Sequence, residues 1–185
     1  MRTAKLMDTP HLSGLKEQIP DYARNQKRNL EVLINSTVLT NQQKWGCFFV
    51  AAALSKNAAV LKAIAAQAQE ILSESALKVV LECISVMTLN NCGFRAKHWL
   101  GDEFDTVRFG LRNTVDLKPG INQADYEAWA IVASAVNGCE QCTQEHSRKG
   151  QAEGLSREQI WEAVKISSVI CSLANTLDVH EVLDN

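Results

Sequence analysis

Proline and glycine are scarce in this sequence, which holds 3 and 9 of them among 185 residues, and few segments are rich in β-branched residues. This composition argues against a turn-rich β-sheet protein, whereas the abundance of Ala and Leu favours helix. The chain is 46% hydrophobic and near the usual length of one domain, so it can bury one substantial core. We therefore expect an all-α fold, a single-domain helical bundle.

Charge of one sign is not concentrated anywhere in the chain. The formal net charge is −2, and basic residues are scattered among acidic ones. The stretch from Arg95 to Lys118, for example, also holds Asp102, Glu103, Asp105 and Asp116. Nucleic-acid-binding faces need clustered Lys and Arg, so no nucleic-acid partner is expected.

Long hydrophobic runs are missing as well. The opening residues, MRTAKLMDTPHLSG, have no apolar h-region, and the longest wholly apolar run, Cys47 to Leu54, is too short to cross a bilayer. We expect a cytosolic protein without a membrane partner. Because cytosolic thiols are kept reduced, the six cysteines are not expected to form a structural disulfide framework, and any close pair needs another reason.

Residues 1–14 show no helical periodicity and are predicted to be a loose arm, or a segment that docks late, ahead of a helical domain at 15–185. Four helix starts follow in the first half of the domain. They are marked by Pro20, by a Thr40/Gln43 capping box, by Asn57, and by Ser73 or Ser75.

The pattern weakens between residues 90 and 120, where we expect short helices and an ordered connector, with Gly93, Gly101, Gly110 and Pro119-Gly120 as breaks. Helix is predicted again from about Gln123 to Val136, with a stop at Asn137-Gly138 and a restart at Cys139. A Ser156/Gln159 capping box opens the last helix, predicted from Glu158 to Leu177 or beyond.

The two halves show a faint internal repeat. Trp45 precedes Leu72-Ser73 and a long apolar helix much as Trp129 precedes Leu155-Ser156 and another, at spacings that differ by one residue. An old duplication explains this pattern, and so do two similar amphipathic hairpins that arose by chance. Only the second half carries a CxxC.

The segment from Asn137 to His146 carries the strongest chemical signal. On a helix that starts at Cys139, the residues Cys139, Cys142 and His146 share one face. The two cysteine Cα atoms would be about 5 Å apart, which suits a reversible disulfide. A helix N-terminus lowers a thiol pKa from about 8.5 toward neutrality, and His146, one turn after Cys142, can take or return a proton.

Glu127 lies twelve residues before Cys139. On one unbroken helix it would be roughly 18 Å from that cysteine, too far to act. The predicted break at Asn137-Gly138 would let the Glu127 helix fold back beside the CxxC helix.

Other interpretations of the CxxC remain open. Zinc could take Cys139, Cys142 and His146, but no second CxxC or HxxxH completes a tetrahedral site. A thioredoxin fold needs βαβ units, and packing of two core cysteines conflicts with the polar residues around them. The remaining cysteines and three tryptophans are interpreted as core: Cys47, Cys83, Cys92, Cys171, Trp45, Trp129 and Trp161.

Glu127 is followed after eleven intervening residues by Cys139, then by Cys142 and, after three more intervening residues, by His146. This pattern resembles the signature of the alkyl hydroperoxidase D (AhpD) family. The similarity covers most of the chain outside residues 1–14, including Pro20-Asp21-Tyr22-Ala23, Asn90-Asn91, Gly110-Leu111-Arg112, Pro119-Gly120-Ile121 and Ser134 to Cys139. The resemblance implies the all-helical fold of the carboxymuconolactone decarboxylase type and a homotrimer.

The resemblance also implies a function. Members of this family reduce small alkyl hydroperoxides and reduce the disulfide of a partner 2-Cys peroxiredoxin, AhpC. No cofactor is bound; a dihydrolipoyl group on a 2-oxoacid dehydrogenase subunit supplies the electrons. By this likeness Cys142 becomes the sulfenic acid, Cys139 donates a proton and resolves it, and Glu127 and His146 form a proton relay.

Simple physics and the family differ on which thiol is activated. The helix dipole favours Cys139, whereas His146 favours Cys142; we follow the family and the histidine. Gln141 departs from the pattern, since close relatives carry a histidine there, and an amide cannot exchange a proton at neutral pH. The direct peroxidase rate is thus expected to suffer more than disulfide exchange.

Two further function classes are kept as alternatives. One is a decarboxylase, suggested only by the shared fold and independent of the CxxC. The other is a non-enzymatic module in which the cysteines and His146 bind a metal or sense oxidant.

Overall fold

The computed structural model describes residues 7–184, which form eight α-helices and three short 3₁₀ helices and contain no strand. The α-helices are α1 (Ser13–Glu17), α2 (Arg24–Asn35), α3 (Asn41–Leu54), α4 (Ala58–Ile71), α5 (Glu74–Leu100), α6 (Gln123–Val136), α7 (Glu140–Ala152) and α8 (Arg157–Asp184). The 3₁₀ helices are Pro10–Leu12, Asp21–Ala23 and Asp102–Phe104. The predicted all-α single domain is confirmed.

Helices α3, α6 and α8 form the centre of the core. Trp45 of α3 and Trp129 of α6 are fully buried, and α3 has ten buried residues. The two helices approach closely at Gly46, where an added Cβ would overlap the Trp129 indole. The indole N–H also donates to the Gln43 carbonyl at 3.1 Å. Close packing at this crossing holds α6, and with it Glu127, in place.

At Pro20 the predicted start is a short 3₁₀ helix, and α2 begins only at Arg24 without a side-chain cap. The other predicted helix starts coincide with observed caps. Thr40 and Gln43 form a capping box at α3, Asn57 caps α4, and Ser73 rather than Ser75 caps α5. Ser156 and Gln159 exchange the two hydrogen bonds of a capping box before α8. These local side-chain contacts satisfy the N–H groups that have no partner within the helix.

Gly93 does not break α5, so the prediction of short helices beginning near residue 90 is wrong. Helix continues to Leu100 and ends at Gly101, which has φ +97°. At Gly93 the missing side chain instead makes room for the ring of Phe109, which also stacks on Phe94 at 4.8 Å. The expected connector is present between Asp105 and Asn122 and is non-helical.

The internal repeat is visible in the helix lengths. Helices α3, α4 and α5 have 14, 14 and 27 residues, and α6, α7 and α8 have 14, 13 and 28. Each half therefore consists of two short helices followed by a long one. Trp45 and Trp129 lie in corresponding helices, and both are fully buried.

The structure bears on two expectations about exposure. Trp161 was expected in the core, but it is 63% exposed because α8 turns Ala163, Ile166 and Ile170 inward instead. In the predicted loose arm, residues 1–6 lie outside the described residues, whereas Leu12 is fully buried. From Thr9 onward this stretch is packed on the body.

Helix α5 is the one helix in residues 7–184 that is long and apolar enough to cross a membrane, with a mean hydropathy of 1.2 over its best 18-residue window. Length and composition are weak grounds for a membrane span, because long core helices of soluble proteins meet the same criteria. The prediction of no membrane partner stays a prediction.

Candidate active site

The site is built on the hairpin of α6 and α7. Helix α6 ends at Val136, and the chain reverses through Asn137 and Gly138, whose φ of +66° is a conformation that glycine adopts without a steric penalty. The backbone N–H of Cys139 then donates to the Ser134 carbonyl at 3.0 Å, and the Arg95 guanidinium donates to the Asn137 carbonyl. This confirms the predicted stop and reversal.

Cys139 and Cys142 form a disulfide with their Cα atoms 5.3 Å apart. Helix α7 begins at Glu140, one residue later than predicted, and Cys139 is its N-cap: its sulfur accepts from the backbone N–H of Cys142 at 3.3 Å. Cys139 is 1% exposed and Cys142 is 7% exposed. Cys142 lines the adjacent pocket and Cys139 does not.

Glu127 and His146 face each other across the hairpin. The imidazole Nδ1 lies 2.6 Å from the carboxylate Oε2, and the two side chains are 13% and 1% exposed, His146 being the more accessible. Glu127 also contacts the position of Gly150, where an added Cβ would lie 3.5 Å from the Glu127 Cβ. That distance is an ordinary van der Waals contact, whereas the same Cβ would lie only 2.9 Å from Leu155 Cδ1, so the glycine makes room for the Leu155 side chain.

Gln123 and Tyr126 complete the surroundings of this pair, and sequence reasoning did not identify either. The Gln123 amide donates to Glu127 Oε1 at 2.5 Å. The Tyr126 ring meets the His146 imidazole edge-on, with centroids 6.3 Å apart, and its hydroxyl donates to Met87 Sδ at 3.7 Å. Burial raises the pKa of Tyr126, so its hydroxyl stays protonated near neutral pH. The i, i+4 spacing of Gln123 and Glu127 was the available sequence signal.

A pocket of about 530 Å³ opens beside Cys142. Its walls come from α5, the connector, α6 and α7, and it joins apolar side chains to the polar group of Glu127 and His146. The apolar contributors are Phe94, Val115, Leu117 and Tyr126. Such a mixed pocket fits a small organic molecule with one reactive polar end.

Gln141, the position that departs from the family pattern, also lines this pocket. Its amide nitrogen lies 3.1 Å from Nδ1 of His98 on α5, and both residues are exposed. The structure therefore brings a titratable ring next to the amide, a relationship that the sequence did not reveal.

The other cysteines divide into two groups. Cys47 and Cys83 are fully buried, and burial raises the pKa of each thiol, so core packing is confirmed for them. Cys92 was expected in the core but is exposed, because it lies on the outward side of α5. Cys171 is partly buried.

Within residues 7–184, no three His, Cys, Asp or Glu side chains are grouped as a metal site.

Comparisons with known proteins identify the family of the chain. Residues 102–185 match the model of the carboxymuconolactone decarboxylase family. The chain is similar to proteins named alkyl hydroperoxide reductase AhpD from three organisms. Identity is 43% with the Corynebacterium aurimucosum protein, over 92% of this chain and 97% of the relative. It is 37% with that of Rhodococcus erythropolis, over 93% and 96%, and 39% with that of Streptomyces griseus, over 93% and 98%. The chain therefore belongs to the AhpD family, within the carboxymuconolactone decarboxylase-like superfamily.

Proposed function

We propose that this protein is an antioxidant thiol peroxidase that reduces alkyl hydroperoxides at Cys142. The observation that carries the proposal is the pocket itself, where Cys142 of the disulfide lies together with the hydrogen-bonded Glu127 and His146. The relatives' name, alkyl hydroperoxide reductase, supports the same reaction class.

The reaction starts from the reduced pair. His146 takes the thiol proton, and the Cys142 thiolate attacks the terminal peroxide oxygen. The O–O bond breaks, so that Cys142 becomes a sulfenic acid, and His146 returns the proton to the alkoxide, which leaves as an alcohol. The Cys139 thiol then attacks the Cys142 sulfur, which forms the disulfide and releases water.

The different exposure of the two cysteines supports different roles for them. Cys142 faces the pocket, where a peroxide can reach it, whereas Cys139 is buried at the N-cap of α7. There the Cys142 N–H and the helix N-terminus stabilise negative charge on its sulfur. Cys139 is thus suited to resolve the sulfenic acid.

Dihydrolipoyl groups are the proposed electron donors. The disulfide is largely buried, and the way to Cys142 is the pocket of about 530 Å³. A narrow dithiol on a flexible arm, such as the dihydrolipoyl group of a 2-oxoacid dehydrogenase subunit, could enter this pocket and reach Cys142. Its two thiols would reduce the disulfide and leave as a cyclic disulfide.

A 2-Cys peroxiredoxin of the AhpC type is the proposed protein partner, and it would present its disulfide to the reduced pair on a mobile segment.

We further propose a homotrimer in the cytosol. Exposed apolar residues on α5 and α8, including Leu81, Leu89 and Trp161, supply surface for such an assembly.

The test compares Cys142→Ser with Cys92→Ser. Cys92 is exposed and lies outside the pocket, so its replacement should leave dihydrolipoamide-driven hydroperoxide consumption unchanged, whereas Cys142→Ser should abolish it. Thiol titration with mass analysis should show two thiols gained on reduction, at positions 139 and 142. Full activity of the Cys142→Ser variant would rule out the proposal.

The decarboxylase alternative shares the fold but has no use for a disulfide. Decarboxylation that survives replacement of both Cys139 and Cys142 would support it instead. For the metal-binding alternative the described residues offer no grouped donor set.

A further inference from the structure

Gln123 is the first residue of α6, and its side chain reaches the Glu127 carboxylate from the pocket side. Its Nε2 donates to Oε1 at 2.5 Å, while His146 Nδ1 lies 2.6 Å from Oε2. Within residues 7–184, these two side chains are the hydrogen-bond partners of a carboxylate that is 1% exposed. Each carboxylate oxygen thus has a different partner.

An amide nitrogen can only donate a hydrogen bond, and a donor binds an ionised carboxylate more strongly than a neutral carboxyl group. The Gln123 contact therefore favours the state in which Glu127 is ionised and the shared proton stays on His146 Nδ1. In that tautomer Nε2 of the imidazole is the atom left free to accept a proton.

The other titratable groups near the pair do not replace this donor. Cys83 of α5 and Tyr126 of α6 have raised pKa values, with burial the main cause, and are uncharged near neutral pH. On α7, Glu145 pairs with Arg148 and Lys149, and Cys142 is in the disulfide.

We propose that Gln123 is a positioning residue that keeps the Glu127–His146 pair in the tautomer able to accept the Cys142 proton. The inference rests on the proposed function, in which this pair is the proton relay. Gln123 acts through Glu127 and does not itself transfer a proton.

The experiment compares Gln123→Met, which has similar length but no donor, with Gln123→Lys, which restores a donor. Gln144→Met on the exposed side of α7 is the matched control. Nitrogen NMR of the His146 ring in the oxidised protein reports the tautomer, and kcat/KM for an alkyl hydroperoxide is measured against pH.

Gln123→Met should move the His146 ring proton from Nδ1 toward Nε2 and lower kcat/KM at neutral pH about tenfold, with a displaced acid limb. Gln123→Lys should retain the native tautomer and most of the rate, and Gln144→Met should change neither. If Gln123→Met does not fold, Gln123→Asn, whose amide is too short to reach Glu127, replaces it.

A native tautomer and an unchanged pH profile in the donor-free variant would overturn the inference. The NMR readout needs no turnover, so it separates this result from failure of the proposed function. A wild-type protein without peroxidase activity would refute the function alone, while the tautomer would still report what Gln123 does.

Discussion

Glu127 and His146 lie nineteen residues apart in the chain, yet their side chains meet at 2.6 Å. Their contact exists because α6 and α7 run in opposite directions after the turn at Gly138. It joins a buried carboxylate to an imidazole that borders the pocket of Cys142. The proposed proton path depends on this one contact more than on any other.

Replacement of Glu127 by Gln should therefore lower peroxide reduction by about 10²-fold, the lower end of the range for loss of general acid–base catalysis. The neutral amide cannot stabilise a protonated His146. The measurement is single-turnover oxidation of the reduced pair by an alkyl hydroperoxide. A rate within twofold of wild type would contradict a role for the carboxylate.

Gly138→Ala should destabilise the protein by about 1 kcal/mol, because a side chain at φ +66° strains the turn between α6 and α7. Steric overlap is not the cause of this loss, since an added Cβ would be 3.8 Å from its nearest neighbour, the Arg95 guanidinium. Urea unfolding of the oxidised protein measures the loss. Gly14→Ala, in a helix with open space and no positive φ, should be neutral or stabilising and serves as the control.

Gly93→Ala should weaken substrate binding through the connector. The added methyl group would overlap the Phe109 ring and push away a segment that contributes Val115 and Leu117 to the pocket. Overpacking of this kind costs about 1–3 kcal/mol. We expect KM for an alkyl hydroperoxide to rise, and a second change, Phe109→Leu, to restore it partly. An unchanged KM would show that the connector does not shape the site.

Stability should fall above about pH 9 because of the buried thiols. Burial raises the pKa of Cys47 and of Cys83 above the ordinary value of about 8.5. The unfolded thiols lose their protons first, so the stabilisation is complete below the unfolded pKa and is lost as the pH rises toward the folded one. In urea unfolding between pH 8 and about 10, Cys83→Ala should flatten this slope, and the exposed-site variant Cys92→Ala should not. If the unfolding free energy fell with pH at the same slope in wild type and both variants, the buried thiols would not be the cause.

Gln141→His should raise the direct peroxidase rate more than the rate of disulfide exchange with dihydrolipoamide. The new imidazole would supply a proton-exchanging group at the pocket, where the amide can only hydrogen-bond. Both rates are measured on the same preparation. Equal changes in the two rates, or no change in either, would show that Gln141 does not limit peroxide reduction.

Local sequence patterns determined most of the helix starts. Thr40 with Gln43, Asn57, and Ser156 with Gln159 cap their helices through side chains within three residues, so nothing distant is needed to predict them. The CxxC spacing likewise predicted two cysteines within disulfide reach, and Asn137-Gly138 predicted the turn before them. Each of these contacts is local in the chain.

Tertiary packing decided what local patterns could not. Gly93 was predicted to break a helix, but it lies within α5 and makes room for the Phe109 ring. Trp161 was predicted to lie in the core, but α8 places it on the surface. The same holds for the pair of Glu127 and His146, which the sequence permitted but did not show. The contact of Gln141 with His98 joins residues 43 positions apart. Contacts of this kind depend on how helices pack against one another, which a one-dimensional pattern does not contain.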